Sequence, residues 1–70
     1  MQITVTADDL HTASDNGSVV SVTGTVLGSR GTRRVTFDGD RDRMTAMLAR
    51  VRAHGQAVVN VEPWQILGEG

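Results

Sequence analysis

The chain has 70 residues, no cysteine and a formal net charge of −1 at pH 7. This length corresponds to one small domain, residues 1–70, and the lack of cysteine excludes disulfides, thiolate metal ligands and a cysteine nucleophile. No apolar run approaches the roughly 20 residues of a membrane span, and the amino terminus does not have the pattern of a signal peptide. We therefore expect a cytoplasmic protein without a membrane partner, located in the host cytoplasm if it is viral.

All seven basic residues are arginine, and they are concentrated in one part of the chain. Residues 30–52 hold the seven arginines and three aspartates, a net charge of +4, while the remaining five acidic residues give the rest of the chain −5. Arginine without lysine, with abundant Ala, Val, Gly and Thr, is typical of a high-GC bacterium or one of its phages. The charge asymmetry predicts a surface that steers an anionic partner or drives self-association.

Two β-rich segments dominate the first part of the chain. Gln2–Thr6 alternates polar and β-branched apolar residues, which predicts a half-buried strand. Ser18–Leu27 is the strongest strand, and one of its faces carries Val20, Val22 and Val26. Gly24 lies on the same face and indicates a bulge, a bend or a close approach of two backbones.

The segment between these strands is open to three interpretations. Thr6 and Asp9 have the spacing of a capping box, which favours a short helical turn anchored by Leu10. A second strand over residues 10–14 is an alternative. We favour a loose loop that ends in a turn at residues 15–17, because Asn-Gly is typical of hairpin turns.

A turn at residues 28–32 and a return strand at residues 33–37 predict a β-hairpin with a basic tip. The arginine fork binds phosphate with two hydrogen bonds, and both hairpins and arginine side chains enter DNA grooves. The hairpin tip and the following helix therefore supply a candidate nucleic-acid or anion site, formed by Arg30, Arg33, Arg34, Arg41 and Arg43. A pI near 6.0 and only two aromatic residues count against this function.

The clearest element is an amphipathic helix over residues 40–54. Its apolar residues recur at i, i+3, i+4 and i+7 and so share one face, which consists of Met44, Met47, Leu48 and Val51. Asp40 is a favourable N-cap, and Gly55 is placed to end the helix in the left-handed conformation. A turn at residues 38–39 is expected to lead the chain into the helix.

The last part of the chain predicts one more strand and an apolar end. Residues 57–62 contain a near-continuous apolar run, which favours a central position in the sheet, and Pro63 ends the strand or marks an edge. Trp64, Ile66 and Leu67 then form an apolar patch before a tail that we expect to fray. We favour a core position for Trp64; if the patch is exposed, it is a candidate protein interface, since Trp is common at binding hot spots.

The sequence contains no convincing catalytic, metal-binding or cofactor-binding motif. The Asp-x-Asp-x-Asp run at residues 38–42 resembles the start of a calcium loop, but Arg43 and Ala49 occupy the positions that require Gly and Glu. The glycines of residues 24–31 have neither P-loop nor dinucleotide-binding spacing. We therefore predict a protein that is not an enzyme and has no cofactor.

These features together predict an α+β fold, in which one amphipathic helix packs on a small antiparallel sheet in the order β-β-β-α-β. A partly open barrel with the helix between its third and fourth strands is also compatible. The predicted function is that of a non-enzymatic accessory or regulatory protein that binds another protein or self-assembles. The alternative is a small nucleic-acid-binding module that uses the basic hairpin and the helix arginines.

Overall fold

Six strands and one α-helix make up the fold in the computed structural model, which describes residues 1–69. The strands form one antiparallel sheet in the order β5-β1-β3-β4-β6, with β2 paired to β3 beside β1. The elements are β1 (Gln2–Thr6), a 3₁₀ helix (Ala7–Thr12), β2 (Ser14–Asp15), β3 (Val19–Gly28), β4 (Gly31–Asp40), α1 (Arg41–His54), β5 (Gln56–Asn60), a second 3₁₀ helix (Pro63–Gln65) and β6 (Ile66–Glu69). The sheet does not close into a barrel, and the predicted α+β class is confirmed.

Helix α1 begins and ends where the sequence predicts. An Asp40 side-chain oxygen accepts a hydrogen bond from the Arg43 backbone N–H at 3.0 Å. Gly55 has a φ of 88° and donates its N–H to the Val51 carbonyl at 2.7 Å, which ends the helix. The predicted apolar face is buried against the sheet and comprises Met44, Met47, Leu48 and Val51.

The core lies between α1 and one face of the sheet. Ile3, Val5 and Phe37 are almost completely inaccessible to solvent. Strands β1 and β3 come unusually close at Gly24, where an added Cβ would lie 2.5 Å from Ile3 Cγ2 and 2.8 Å from the Thr4 carbonyl oxygen. Close backbone approach is therefore the reason for a glycine in the middle of β3.

Strand β4 is longer than the predicted return strand, and the predicted turn at residues 38–39 is wrong. Pairing with β3 continues through Ser21↔Asp38 and Val19↔Asp40, so the chain leaves the sheet only at the helix N-cap. The backbone of these residues is satisfied by β3, and this cross-strand pairing outweighs the local preference of Asp-Gly for a turn.

The segment between β1 and β2 is a 3₁₀ helix, so the favoured loose loop is wrong. Thr6 donates from its backbone N–H and its hydroxyl to one Asp9 carboxylate oxygen, at 2.9 and 3.1 Å. Leu10 is half-buried against the core, as the helical-turn alternative requires. Both discarded alternatives are partly realised, because a two-residue strand follows this turn and pairs with β3.

Strand β5 lies at an edge of the sheet, and the predicted central position is wrong. Its partner within the described chain is β1 alone, through five regular pairs from Gln2↔Asn60 to Thr6↔Gln56. The apolar run arises because Ala57 and Val59 face the core while Val58 points outward and is 52% exposed. After β5 the chain crosses to the opposite edge and forms β6, where a fraying tail was expected. Gly70, the last residue of that tail, lies outside the described residues.

Candidate protein-binding groove

A groove of about 400 Å³ runs between helix α1 and the free edge of β5. The helix contributes Arg43, Met44, Met47 and Arg50, and the remaining walls are formed by residues 58–61 and by Phe37 and Gly39 of β4. On the side of β5 away from β1, no strand among residues 1–69 covers the edge. Gln65 also lines it and is held in place by a 2.8 Å hydrogen bond to the Asp38 carbonyl.

The pairing of β5 with β1 shows which backbone groups of β5 point away from β1. Met1 and Val61 exchange both backbone hydrogen bonds, at 2.8 and 3.1 Å, so they form a hydrogen-bonded pair. Hydrogen-bonded and non-hydrogen-bonded pairs alternate along an antiparallel ladder. Gln56, Val58 and Asn60 therefore occupy the non-hydrogen-bonded positions, and their N–H and C=O groups point away from β1.

The exposed edge of β5 has none of the usual features that prevent strand pairing. Proteins protect edge strands with charges, proline, bulges or short length. Strand β5 reads Gln-Ala-Val-Val-Asn, without a charge, a proline or a register shift. The other edge strand, β6, has four residues, a register shift and Glu69. The two edges differ, and β5 is the one suited to receive a further strand.

The groove carries two arginines that have no carboxylate partner among residues 1–69. Arg43 and Arg50 line it from one side of α1, about two turns apart, and none of the ion pairs between described residues includes either side chain. They are seven residues apart, which is about 10.5 Å along a helix at 1.5 Å per residue. Asp40 also lines the groove but accepts the capping hydrogen bond. The groove is therefore cationic along its helical wall.

Three of the other predicted arginines are engaged within the fold. Arg33 pairs with Glu69 at 3.3 Å, an exposed contact. Arg34 pairs with the buried Asp9 at 2.6 Å, and Arg41 pairs with Asp15 at 2.9 Å. Because these three arginines are already paired with carboxylates of the protein, they are less available to bind phosphate than the sequence alone suggests.

The five predicted arginines also lie in separate places. Arg33 and Arg34 are adjacent in a strand and so point to opposite faces of the sheet. Arg30 lies in the turn at one end of the β3–β4 hairpin, whereas Arg41 and Arg43 follow its other end. Nine residue steps at about 3.3 Å separate these ends by roughly 30 Å. The structure does not gather the predicted nucleic-acid site into one patch, and its function stays a prediction.

The apolar end of the chain is only partly buried. Trp64 is 79% exposed and Leu67 is 58% exposed, whereas Ile66 is half-buried against the core. The favoured core position of Trp64 is therefore wrong, because Ile66 takes the inward position beside Phe37. Trp64 and Leu67 remain the predicted interface residues, and Gln65, between them in sequence, lines the groove.

A polar cluster on the face away from α1 was missed in the sequence. Asp9 is only 3% exposed and receives hydrogen bonds from Thr6 and Arg34. Burial alone would raise the pKa of Asp9, but the hydrogen bonds from Arg34 and Thr6 outweigh it and lower the pKa below its ordinary value. The cluster fixes the first 3₁₀ helix to the sheet, and the Thr6–Asp9 spacing was its only sequence signal.

The chain shows no match to models of known protein families, to curated proteins or to solved structures. Within residues 1–69, no three His, Asp or Glu side chains come together in a way that could hold a metal ion. No helix in that part of the chain has the length and apolar character needed to cross a membrane. The groove beside β5 combines a regular strand edge with two arginines that have no carboxylate partner among residues 1–69.

Proposed function

We propose that this protein is a non-enzymatic accessory protein of the cytoplasm, and that it binds an extended segment of another protein along β5. The observation that carries the proposal is the uncharged, regular and unpaired edge of β5 beside the groove. An incoming strand would bond to the outward N–H and C=O groups of Gln56, Val58 and Asn60. Every second side chain of that strand would enter the groove, which is how strand addition combines affinity with specificity.

The size of the groove supports a reversible interaction. One strand of five to seven residues buries less surface than the roughly 1,200 Å² at which stable protein complexes begin. Binding of this kind is weak and fast to reverse, as suits a regulatory or accessory role. Trp64 and Leu67 are predicted to add contacts at the end of the groove if the partner extends beyond the strand.

Charge favours another protein over a second copy of this chain at β5. Two copies that pair through β5 about a twofold axis place both α1 helices on the same face of the joined sheet. The Arg43 and Arg50 side chains of the two copies would then face each other across the merged groove. Four cations would meet two Asp40 carboxylates already used as helix caps, and this arrangement is repulsive.

The test uses a substitution that removes one outward hydrogen-bond donor. Val58→Pro deletes an N–H that β1 does not use, so the fold is expected to persist, since proline is tolerated on edge strands. Peptides selected from a random heptapeptide display library on the wild-type protein should bind Val58→Pro at least tenfold more weakly. Val58→Thr keeps the N–H and the β-branched shape, and it should bind like the wild type.

Two further measurements keep the test independent of any effect of proline on folding. Peptide binding should protect the amide protons of Gln56, Val58 and Asn60 from hydrogen exchange in the unmodified protein. Peptides N-methylated at alternate backbone positions should lose affinity, because they cannot complete the ladder. The proposal would be refuted if the selected peptides bound wild type and Val58→Pro equally and kept their affinity after N-methylation. A library that yields no binder would also refute it.

Nucleic-acid binding is tested on the same protein. Fluorescence anisotropy with labelled DNA and RNA at low salt should show no tight binding. Tight binding that weakens steeply with salt and is lost in Arg30→Gln would replace protein binding as the function.

A further inference from the structure

We infer that the segment bound at β5 is acidic, and that Arg43 and Arg50 select it by pairing with two carboxylates that flank one apolar residue. This inference rests on the proposed strand addition and identifies the chemistry of the partner. The backbone groups of β5 can bond to an extended chain of any sequence. The inference therefore concerns the side-chain contacts that give specificity.

The first argument is the difference between these arginines and others in the chain. Arg33, Arg34 and Arg41 are each paired with a carboxylate of the protein itself. Arg43 and Arg50 line the groove without such a partner among residues 1–69. A bound carboxylate would receive hydrogen bonds from the guanidinium fork without breaking an existing ion pair.

The second argument is the match between helix and strand spacing. The two arginines are separated by about 10.5 Å along α1. Residues i and i+4 of an added strand point to the same side and are about 13 Å apart. A strand aligned with α1 requires flexible arginine side chains to cover only this difference of about 3 Å, and it can then present an acid to each arginine at the same time.

The third argument is the floor of the groove between the two arginines. Met44 and Met47 lie on the turns between Arg43 and Arg50, and Val59 lines the same groove and packs against the core from β5. Methionine adapts its shape to different apolar groups. The residue at i+2 of the added strand, between the two acids, therefore meets an apolar surface that suits an aliphatic side chain.

The test uses a fluorescein-labelled, acetylated and amidated heptapeptide. One face of it carries threonines, and the other carries glutamate, valine and glutamate at alternate positions. The control peptide has glutamine in place of both glutamates, which preserves shape and removes charge. At low salt the glutamate peptide should bind about five- to tenfold more tightly, as expected for two exposed ion pairs, and added salt should reduce the difference.

Variants of the protein assign the selectivity to its residues. Arg43→Gln combined with Arg50→Gln should bind both peptides equally and about as tightly as the wild type binds the glutamine peptide. Arg52→Gln removes a helix charge that does not line the groove and should retain the preference.

The outcomes separate this inference from the proposed function. Equal binding of both peptides to the wild type, with loss of both in Val58→Pro, would overturn the acidic preference and leave strand addition standing. A glutamate preference that persists in the double variant would also overturn the role of the two arginines. Binding of both peptides that Val58→Pro leaves unchanged refutes strand addition itself, and no binding of either peptide at 1 mM refutes the acidic motif.

Discussion

The two faces of the sheet are stabilised in different ways. The face toward α1 is apolar, and its side chains are buried by packing against the helix. The opposite face carries threonines, Arg34 and Asp9, which are joined by hydrogen bonds and one ion pair. Packing requires volume and periodicity, whereas the polar face requires particular atoms at bonding distance. The first face is therefore visible in the sequence, and the second depends on long-range geometry.

The largest effect is expected on the helix-facing side at Phe37, the largest fully buried side chain. Phe37→Ala leaves a cavity beneath α1 and should lower the free energy of unfolding by about 3–5 kcal/mol. Since a domain of this size has roughly 5 kcal/mol in total, urea titration should show a mostly unfolded protein. Leu27→Ala is the control, because Leu27 is 82% exposed and its loss should change little.

A smaller loss is expected where β1 and β3 approach at Gly24. Gly24→Ala places a methyl group against Ile3 Cγ2 and the Thr4 carbonyl, which should cost about 2–3 kcal/mol through overpacking. The urea midpoint of this variant would fall, whereas Gly68→Ala should stay near the wild type because no atom lies within 4 Å of its added Cβ. An unchanged midpoint for Gly24→Ala would mean that the two strands are further apart than described.

The next smaller loss of stability is expected on the polar face for Asp9→Asn, which breaks the ion pair with Arg34. We expect a loss of about 1–3 kcal/mol at pH 7, the usual range for a buried group that loses a charged partner. Because the folded-state pKa of Asp9 is lowered, its stabilisation is complete above the unfolded-state pKa of about 4 and disappears as pH falls through the folded-state value.

Urea midpoints measured between pH 7 and pH 2 check this prediction. The difference between wild type and Asp9→Asn should shrink as the solution becomes more acidic. Asp8→Asn, at an exposed neighbour, is the control and should leave the stability at pH 7 nearly unchanged. A difference that is constant across the acid range would show that the carboxylate charge of Asp9 does not stabilise the fold.

The smallest effect is expected for a single hydroxyl pair on the polar face. Thr23 and Thr36 are cross-strand partners whose hydroxyl oxygens lie 2.7 Å apart. Thr36→Val keeps the shape and removes this hydrogen bond, so thermal unfolding should show a loss of about 1 kcal/mol or less. Thr32→Val, on an exposed part of the same strand, is the matched control and should have the same thermal unfolding midpoint as the wild type.

Much of the fold could be predicted from the sequence, whereas little of the groove could. The helix was predicted with both of its caps because its signals lie within sixteen consecutive residues, from Asp40 to Gly55. The edge position of β5 was not predicted. A similar run of apolar residues occurs in a central strand that is covered on both faces and in an edge strand that packs against a helix. The roles of the arginines were equally hidden, because the carboxylate partners of Arg34 and Arg41 are 25 and 26 residues away in the chain.

The sequence by itself determined the α+β class, the bounds of the helix and the inward faces of β1, β3 and β4. These follow from local periodicity, capping and turn chemistry, which act between residues a few positions apart. Only the tertiary structure decided which strand lies at the edge, that Trp64 is exposed and Asp9 is buried, and which arginines remain unpaired beside the groove. These properties depend on contacts between distant parts of the chain, and their free energies arise only when the sheet assembles against α1.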